Sequence, residues 1–262
     1  MEPELRIHGP QAWITLRRPE QANRLERRDL HVMLEHLSTV QADAQVRVLV
    51  LQSQGPHFCS GFNLEEVLDT EGDHSAPAHF ARVADALERA RPVTVAAVQG
   101  GAFGGAVDLA LACDFRVGTP EAVATVPAVR LGLQFYRSGL QRAVARLPWA
   151  VAQRLYLLGH RLEAAELVQA GYFIDLADGP QALAAEVQRL CDHLLAMGPA
   201  ALLGIKRALV DIASGRAEDP EVALAIDASA ADTERSEELR RRVQAWQSAR
   251  AGAVRSSPQM RE

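Results

Sequence analysis

Apolar and polar residues follow two different periods in the first part of the chain. Residues 5–16 alternate around a Gly-Pro pair, a pattern that predicts a β-hairpin. Over residues 27–41 the apolar positions fall at helical spacing, and the apolar run 46–51 that follows predicts a buried strand. Strand, helix and strand in this order predict a first crossover unit.

The same order of elements returns further along the chain. Helical spacing over 78–90 is followed by a strand pattern over 93–98, an apolar helix over 107–113 and a short strand over 115–117. Strands that alternate with helices favour right-handed crossovers and a parallel sheet. The pattern therefore predicts an α/β fold for this part.

From Ser138 onward the pattern is mostly helical. Prolines and glycines divide this part into six candidate helices, which span 139–147, 150–158, 162–170, 181–196, 200–213 and 221–249. We expect a core domain over residues 1–195 and a C-terminal helical region over residues 196–262.

The charge balance limits the classes of partner. The chain has 28 Lys and Arg against 33 Asp and Glu, a net charge of −5, so we expect no nucleic-acid partner. Lys206 is the only lysine, so arginines or backbone amides would have to bind any phosphate-bearing ligand. Because no apolar run resembles a signal core or a membrane span, we expect a cytoplasmic protein without a membrane partner.

The three cysteines give no sign of a disulfide framework or a metal site. Cys59, Cys113 and Cys191 are an odd number, form no CxxC pair and have no histidine at zinc-ligand spacing. We therefore expect neither a structural metal nor a cofactor.

Two glycine-containing turns follow predicted core strands. The first is Pro56-His-Phe-Cys-Ser-Gly-Phe-Asn-Leu64, and the second is Gln99-Gly-Gly-Ala-Phe-Gly-Gly-Ala-Val-Asp108. Paired glycines let a ligand approach the backbone, and the amides of a first helical turn are donors for a negative oxygen. The second turn lacks the spacing of a dinucleotide or phosphate loop. We interpret it as a candidate oxyanion site, whereas the first turn by itself is better explained as a strand-to-helix connection.

Asp108 lies three residues after the second glycine pair, among residues that otherwise look core-facing. One interpretation is a carboxylate favoured by the helix dipole, and the other is an acid or base beside the amide donors. Burial of an unpaired charge is costly, which favours a functional role.

The two turns belong to longer motifs that identify a family. Phe58-Cys-Ser-Gly-Phe-Asn-Leu64 and the segment from Pro92 to Asp114 resemble motifs of the crotonase superfamily, the enoyl-CoA hydratase/isomerase family, as do residues 16–23 and 159–171. The resemblance implies a crotonase-like spiral of ββα units, with a helical C-terminal region that builds homotrimers or homohexamers. It also implies an acyl-thioester substrate, carried by CoA or by an acyl carrier protein.

The resemblance also implies roles for individual residues. The backbone amides of Phe62 and Gly105 would stabilise the enolate oxygen of the thioester, while Asp108 would shuttle a proton. The substrate-binding residues carried over with these motifs are Arg24, Ser60, Gly61, Asn63, Leu64, Gly104 and Ala128.

The chain departs from the family pattern where a hydratase has its second acid. Ala128 stands at the position of that glutamate, and a methyl group cannot activate water. The glycine-rich stretch that follows in the family is replaced by residues 133–138. One interpretation is that Tyr136 and Arg137 line the acyl pocket there, Tyr136 as a catalytic hydrogen-bond donor and Arg137 as a charge partner. A surface loop explains the segment equally well.

Other departures concern the carrier and the histidines. Glu65 and Glu66 stand where the family often has a lysine that reaches the CoA phosphates, so Arg24 or an acyl carrier protein is the alternative means of binding. His57 and His79 are minor catalytic candidates, because a lone histidine is more often a surface residue.

We therefore expect an enzyme that stabilises a thioester enolate and catalyses isomerisation or hydration/dehydration of an enoyl thioester. The alternative is a catalytically degenerate acyl-thioester-binding homologue that lacks the second acid. An α/β hydrolase has little support because the chain has no G-x-S-x-G motif.

Overall fold

The computed structural model describes residues 1–68 and 76–255. The chain divides into two compact units, Met1–Ala196 and Met197–Glu262. The candidate site lies entirely within the first unit.

The first unit begins with the hairpin that the alternating pattern predicts. Strands β1 (Glu4–His8) and β2 (Gln11–Leu16) pair antiparallel, and His8 faces Gln11 across the turn. Helix α1 (Arg27–Ala42) follows and leads into strand β3 (Val48–Ser53), which runs parallel to β2. The first crossover unit is confirmed.

The elements of the second crossover unit are confirmed as well, with shifts of a few residues at their ends. They are α3 (Ala76–Glu88), β4 (Val93–Val98), α4 (Gly105–Ala112) and β6 (Phe115–Gly118). Two short elements that the periodicity does not predict are added, α2 (Leu64–Leu68) and β5 (Gly101–Phe103). Helix α4 is buried along its length because its residues are apolar on every side, apart from Asp108.

Three short strands follow that the periodicity does not predict: β7 (Val123–Thr125), β8 (Leu162–Glu163) and β9 (Asp175–Leu176). Strands of two or three residues are too short to show an alternating pattern. Strand β9 closes a six-stranded sheet of order β1-β2-β3-β4-β6-β9, while β5, β7 and β8 form a second sheet. β8 takes the first two residues of the predicted helix 162–170.

Residues at the start of the helical part of the first unit form one wall of the candidate site. A 3-10 turn, Pro127–Leu131, is followed by helices α5 (Arg137–Arg146), α6 (Trp149–Tyr156), α7 (Ala164–Gln169) and α8 (Gly179–Ala196). Helix α5 begins two residues earlier than predicted, so Tyr136 becomes its N-cap residue.

The second unit contains helices α9 (Pro199–Ala213), α10 (Pro220–Glu234) and α11 (Glu237–Arg255). The prediction of one continuous helix over 221–249 is wrong, because the helix is interrupted between α10 and α11. Ser236 explains the break: its Oγ accepts a hydrogen bond from the Leu239 amide at 3.1 Å and so caps the start of α11.

Within residues 1–68 and 76–255, no helix combines the length and the apolar character needed to cross a membrane. The three cysteines are buried, and no disulfide joins them. The described residues contain no group of three or more His, Cys, Asp or Glu side chains that could hold a metal ion.

Candidate active site

The two glycine-containing turns, far apart in sequence, meet through a short parallel pairing. The Cys59 amide donates to the Gly101 carbonyl at 3.2 Å, and the Phe103 amide donates to the Cys59 carbonyl at 3.0 Å. The turn after β3 is thereby fixed against the strand that leads into α4.

A second pairing fixes the direction of the Phe62 amide. The Leu25 amide donates to the Gly61 carbonyl at 2.9 Å, and the Asn63 amide donates to the Leu25 carbonyl at 2.9 Å. Since these bonds bracket Phe62, its own N–H points away from Leu25, as in any parallel pairing. No hydrogen bond from this amide to another described residue is present.

The Gly105 amide is the first of helix α4 and so has no acceptor within the helix. A Cβ built on Gly61 would lie 3.5 Å from the Gly105 nitrogen and 2.6 Å from the Phe103 carbonyl oxygen. Gly61 also has a φ of +87°, so only glycine suits this position. The peptide that carries the Phe62 amide therefore lies beside the Gly105 amide.

Both turns line one cavity of about 160 Å³. Ser60, Gly61, Phe62 and Leu64 come from the first turn, and Phe103, Gly104 and Gly105 come from the second. Phe80 of α3 and residues from the 127–136 segment complete the described lining, including Ala128 and Tyr136.

Asp108 is fully buried and is held by two side chains of the α5 region. Arg142 donates from Nε to Oδ1 at 2.9 Å and from Nη2 to Oδ2 at 2.8 Å. The Tyr136 hydroxyl donates to Oδ2 at 2.5 Å. Both carboxylate oxygens are thus occupied, and Asp108 is not part of the cavity lining.

Arg142 connects Asp108 to a wider ion-pair network. Its Nη1 lies 2.8 Å from Asp85 Oδ1 and 3.0 Å from Glu88 Oε2, both on α3. Arg146 pairs with the other oxygen of Glu88 at 2.9 Å. The guanidinium of Arg142 is only 3% exposed, so the network ties α3, α4 and α5 together in a poorly solvated place.

Burial and charge shift the titration of the groups around Asp108. Burial raises the pKa of Tyr136 well above its usual 10, and the negative charge and hydrogen bonding of Asp108 raise it further. Burial alone would lower the pKa of Arg142, but its hydrogen bonds and charge interaction with Asp108 outweigh burial and raise it. Tyr136 is therefore a neutral hydroxyl and Arg142 a permanent cation at neutral pH.

The structure brings most of the predicted site residues to the cavity, but not all. The predicted residues that line it are Ser60, Gly61, Phe62, Leu64, Gly104, Gly105, Ala128 and Tyr136. Arg24 and Asn63 lie outside the described lining: Arg24 Nη2 pairs with Glu26 at 3.3 Å, and Asn63 Oδ1 accepts from the Glu65 amide at 3.1 Å.

The minor candidates also lie outside the described lining. Arg137 is an exposed residue at the start of α5. The rings of His79 and His31 are 6.0 Å apart, and His57 Nδ1 accepts from the Gly101 amide at 3.2 Å. His57 lies next to the cavity, because its ring meets the edge of Phe103 with centroids 6.3 Å apart, but its own side chain is not part of the described lining.

Cys59 has a structural position within the first turn. Its Sγ lies 3.1 Å from the Asn23 carbonyl and accepts from the Gly61 amide at 3.3 Å. Burial raises the pKa of this thiol to about 12, so it is uncharged at neutral pH. These contacts agree with the expectation of a small packed residue.

Sequence reasoning missed the residues that hold Asp108. Arg142 pairs with a residue 34 positions earlier in the chain, and nothing in the local pattern marks it. In the sequence pattern Phe80 belongs to a predicted helix and Phe103 to the second turn, and neither is marked as a site residue. Their clustering at the cavity becomes visible only in three dimensions.

Comparison with known proteins identifies the family of this chain. The family model described as enoyl-CoA hydratase/isomerase matches residues 9–250. Carnitinyl-CoA dehydratase from Citrobacter koseri is 31% identical, covering 76% of this chain and 76% of its own. (E)-benzylidenesuccinyl-CoA hydratase from Thauera aromatica is 27% identical, covering 79% of this chain and 81% of its own.

A solved structure of an enoyl-CoA hydratase from Polaromonas sp. JS666 superposes with a TM-score of 0.84 at 24% identity. The match covers 95% of this chain and 98% of that one, so the two share the crotonase fold. With a family match that spans almost the whole chain, the protein belongs to the enoyl-CoA hydratase/isomerase family of the crotonase superfamily.

Proposed function

We propose that this enzyme binds an enoyl thioester with its carbonyl oxygen between the Phe62 and Gly105 amides, and that it exchanges a proton through Tyr136 and Asp108. The proposed reaction is isomerisation, or hydration/dehydration, of the enoyl thioester. The observation that carries the proposal is that both peptides and the Tyr136 side chain line one cavity, with Asp108 hydrogen-bonded directly behind Tyr136.

The two amides suit an oxygen that becomes negative during the reaction. They belong to backbone segments that are fixed by hydrogen bonds on both sides, so no reorganisation is needed when charge develops on the substrate. One such preorganised donor lowers a reaction barrier by roughly 3–4 kcal/mol. An enolate adjacent to a thioester carbonyl is the intermediate that this pair would stabilise.

Proton exchange with the substrate would pass through Tyr136. As the tyrosine oxygen takes a proton from a substrate carbon, its own O–H proton would move to Asp108 Oδ2. The reverse movement returns a proton to the substrate, and the dyad is restored. In an isomerisation the proton leaves one carbon and is returned to another, so the atoms balance without any further reactant.

Ala128 affects which of the proposed reactions is favoured. It lines the cavity with a methyl group where a second acid would activate water. With a single proton-exchanging pair, isomerisation or elimination next to the carbonyl is easier to perform than rapid hydration. The relatives named as a dehydratase and a hydratase of CoA thioesters support chemistry of the same general type.

The carrier of the acyl group and the oligomeric state of the enzyme are also part of the proposal. We place CoA or the arm of an acyl carrier protein at the open side of the cavity, with Arg24 as one candidate contact for a phosphate. A homotrimer or homohexamer would cover the large exposed apolar side chains of the second unit, which include Ile205, Leu209, Ile212, Leu224 and Trp246. A cytoplasmic location and a reaction without a cofactor are further parts of the proposal.

Substitution of Asp108 tests the proposed function. Asp108→Asn keeps the shape of the side chain but removes the proton acceptor behind Tyr136, so most turnover of enoyl thioesters should be lost. Binding of the acyl thioester should remain. Asp192→Asn, an exposed carboxylate on α8, is the matched control and should behave as the wild type. Unchanged turnover in Asp108→Asn would refute the role given to Asp108.

The alternative function is a degenerate acyl-thioester binder. Two observations favour it: Arg142 occupies both oxygens of Asp108, and Ala128 supplies no acid. Binding of crotonyl-CoA without any chemistry across a panel of enoyl, dienoyl and 3-hydroxyacyl thioesters would decide for this alternative.

A further inference from the structure

Aromatic side chains are concentrated around the cavity. The chain has seven phenylalanines and three tyrosines in all. Five of these ten residues line this one cavity: Phe62, Phe80, Phe103, Phe135 and Tyr136. They come from both turns, from α3 and from the segment before α5, so the fold gathers them from four separate places.

Several of these rings are fixed by their neighbours. Phe135 stacks on Tyr136 with ring centroids 4.4 Å apart and meets the edge of Tyr156 at 5.1 Å. Phe80 packs so closely on the start of α4 that a Cβ on Gly105 would lie 2.6 Å from its ring. The rings of Phe80 and Phe135 therefore form flat walls of the cavity that are packed against their neighbours.

The size of the cavity is a second observation about its occupant. Its volume of about 160 Å³ is close to that of the engineered apolar protein cavity of about 150 Å³ that binds benzene. Few polar residues belong to the described lining; they are Ser60, Gln134 and Tyr136. A single apolar ring fits this volume and these walls.

We propose that the acyl group of the substrate carries one aromatic ring, seated against Phe135, so that the enzyme acts on aryl-substituted acyl thioesters. Aromatic walls favour such a ring through offset-stacked or edge-to-face contacts with centroids about 4.5–7 Å apart, beyond what apolar area alone contributes. This inference rests on the proposed function, because it takes the thioester carbonyl to lie at the Phe62 and Gly105 amides of the same cavity.

The test compares two ligands with equal carbon number. 3-Phenylpropanoyl-CoA and nonanoyl-CoA each have a nine-carbon acyl group and no double bond that could react. The dissociation constants of both, measured by calorimetry with the full chain, should differ by about tenfold or more in favour of the phenyl ligand. Phe135→Leu should reduce the preference to less than about threefold.

Two further variants keep the test decisive. Phe103→Leu removes a ring from another side of the cavity and should also reduce the preference, which covers the case in which Phe135→Leu fails to fold. Phe173→Leu is the matched control, since Phe173 is a buried aromatic residue outside the cavity lining and should leave the preference intact.

Equal affinities for the two ligands would overturn the inference, as would a preference that survives loss of either cavity ring. In that case, turnover of crotonyl-CoA and its loss in Asp108→Asn would still support the proposed function. If neither acyl-CoA binds, both the inference and the proposed function are wrong.

Discussion

Tyr136 connects the cavity to Asp108: Tyr136 is one of the residues that line the cavity, and its hydroxyl donates to Asp108 Oδ2 at 2.5 Å. Asp108 itself is fully buried and lies outside that lining. A proton moving between the carboxylate and a bound substrate would therefore have to pass through the phenol oxygen.

Replacing this tyrosine should separate catalysis from binding. Tyr136→Phe keeps the aromatic ring but removes the hydroxyl that donates to Asp108. Because the proposed proton path is then interrupted, kcat should fall by about 10²–10⁴-fold. The dissociation constant of a saturated acyl-CoA should change by less than about threefold. Steady-state kinetics and calorimetry measure the two quantities.

Tyr172→Phe is the control for this variant. Tyr172 is also buried, but its hydroxyl donates to the Val107 carbonyl at 3.0 Å, away from the cavity lining. Its loss should leave kcat within about threefold of the wild type. If Tyr136→Phe retains wild-type turnover, the proton path through the tyrosine does not exist.

Arg142 should matter more for stability than any exposed arginine of the same helix. Arg142→Met leaves Asp108 buried without its cation and should lower the free energy of unfolding by about 3–5 kcal/mol. Arg142→Lys should lower it less, because an ammonium retains the charge but cannot reproduce the two-pronged contact. Urea denaturation of both variants measures the difference.

The control is Arg137→Met on the exposed face of α5, for which we expect a change of less than about 0.5 kcal/mol. Equal losses in Arg142→Met and Arg137→Met would show that the buried ion-pair network does not contribute as the geometry indicates.

In the folded protein the three tyrosine hydroxyls should ionise only at a pH above their usual pKa of about 10. Burial is the main cause that raises the pKa of Tyr136, Tyr156 and Tyr172, and these are the only tyrosines of the chain. In the unfolded state each should ionise near pH 10. At pH 10.5 the native protein should therefore show almost no tyrosinate absorbance at 295 nm, while guanidinium-unfolded protein should show more than half of the full signal.

The same shift has a consequence for stability at high pH. Because the folded state holds these protons more tightly than the unfolded state, their contribution is fully present below about pH 10 and is lost as the pH rises towards the folded-state pKa values. The free energy of unfolding should fall over that range. A native titration step at the ordinary tyrosine pKa would contradict the burial of these hydroxyls.

Gly61 should tolerate no side chain. In Gly61→Ala the new Cβ would lie 2.6 Å from the Phe103 carbonyl oxygen, and alanine would have to adopt a φ of +87°. Since the two turns would have to separate, turnover should fall by at least about tenfold even where the protein stays folded. Kinetics and circular dichroism of the variant measure both effects.

Gly171→Ala is the control because Gly171 has a similar φ of +71° but no atom within 4 Å of the added Cβ. It carries the conformational penalty without the close contact. If Gly61→Ala and Gly171→Ala lose the same fraction of activity, the close approach of the two turns is not needed for function.

The sequence predicts the parts of the site that depend on local pattern. The glycine pair before an apolar helix predicts that the Gly105 amide opens α4, and the hairpin and first crossover follow from their periodicity. The family motifs point to Phe62 because it follows Gly61 in the first turn. Each of these features is encoded within about ten neighbouring residues.

The features that the sequence does not predict depend on distant contacts or on single side chains. The pairing of Arg142 with Asp85, Glu88 and Asp108 joins three helices, and no periodicity records it. The break before α11 depends on one serine hydroxyl within an otherwise helical pattern. Likewise, the five rings around the cavity come from segments that each look ordinary alone.

A crystal structure of the enzyme with butanoyl-CoA, a short acyl thioester that cannot react, tests the central claim most directly. We predict that the thioester carbonyl oxygen lies about 2.7–3.1 Å from both the Phe62 and the Gly105 nitrogens, with the Tyr136 hydroxyl facing the acyl carbons next to the carbonyl. A carbonyl oxygen bound elsewhere in the cavity, or either amide already paired with another protein group, would contradict the account.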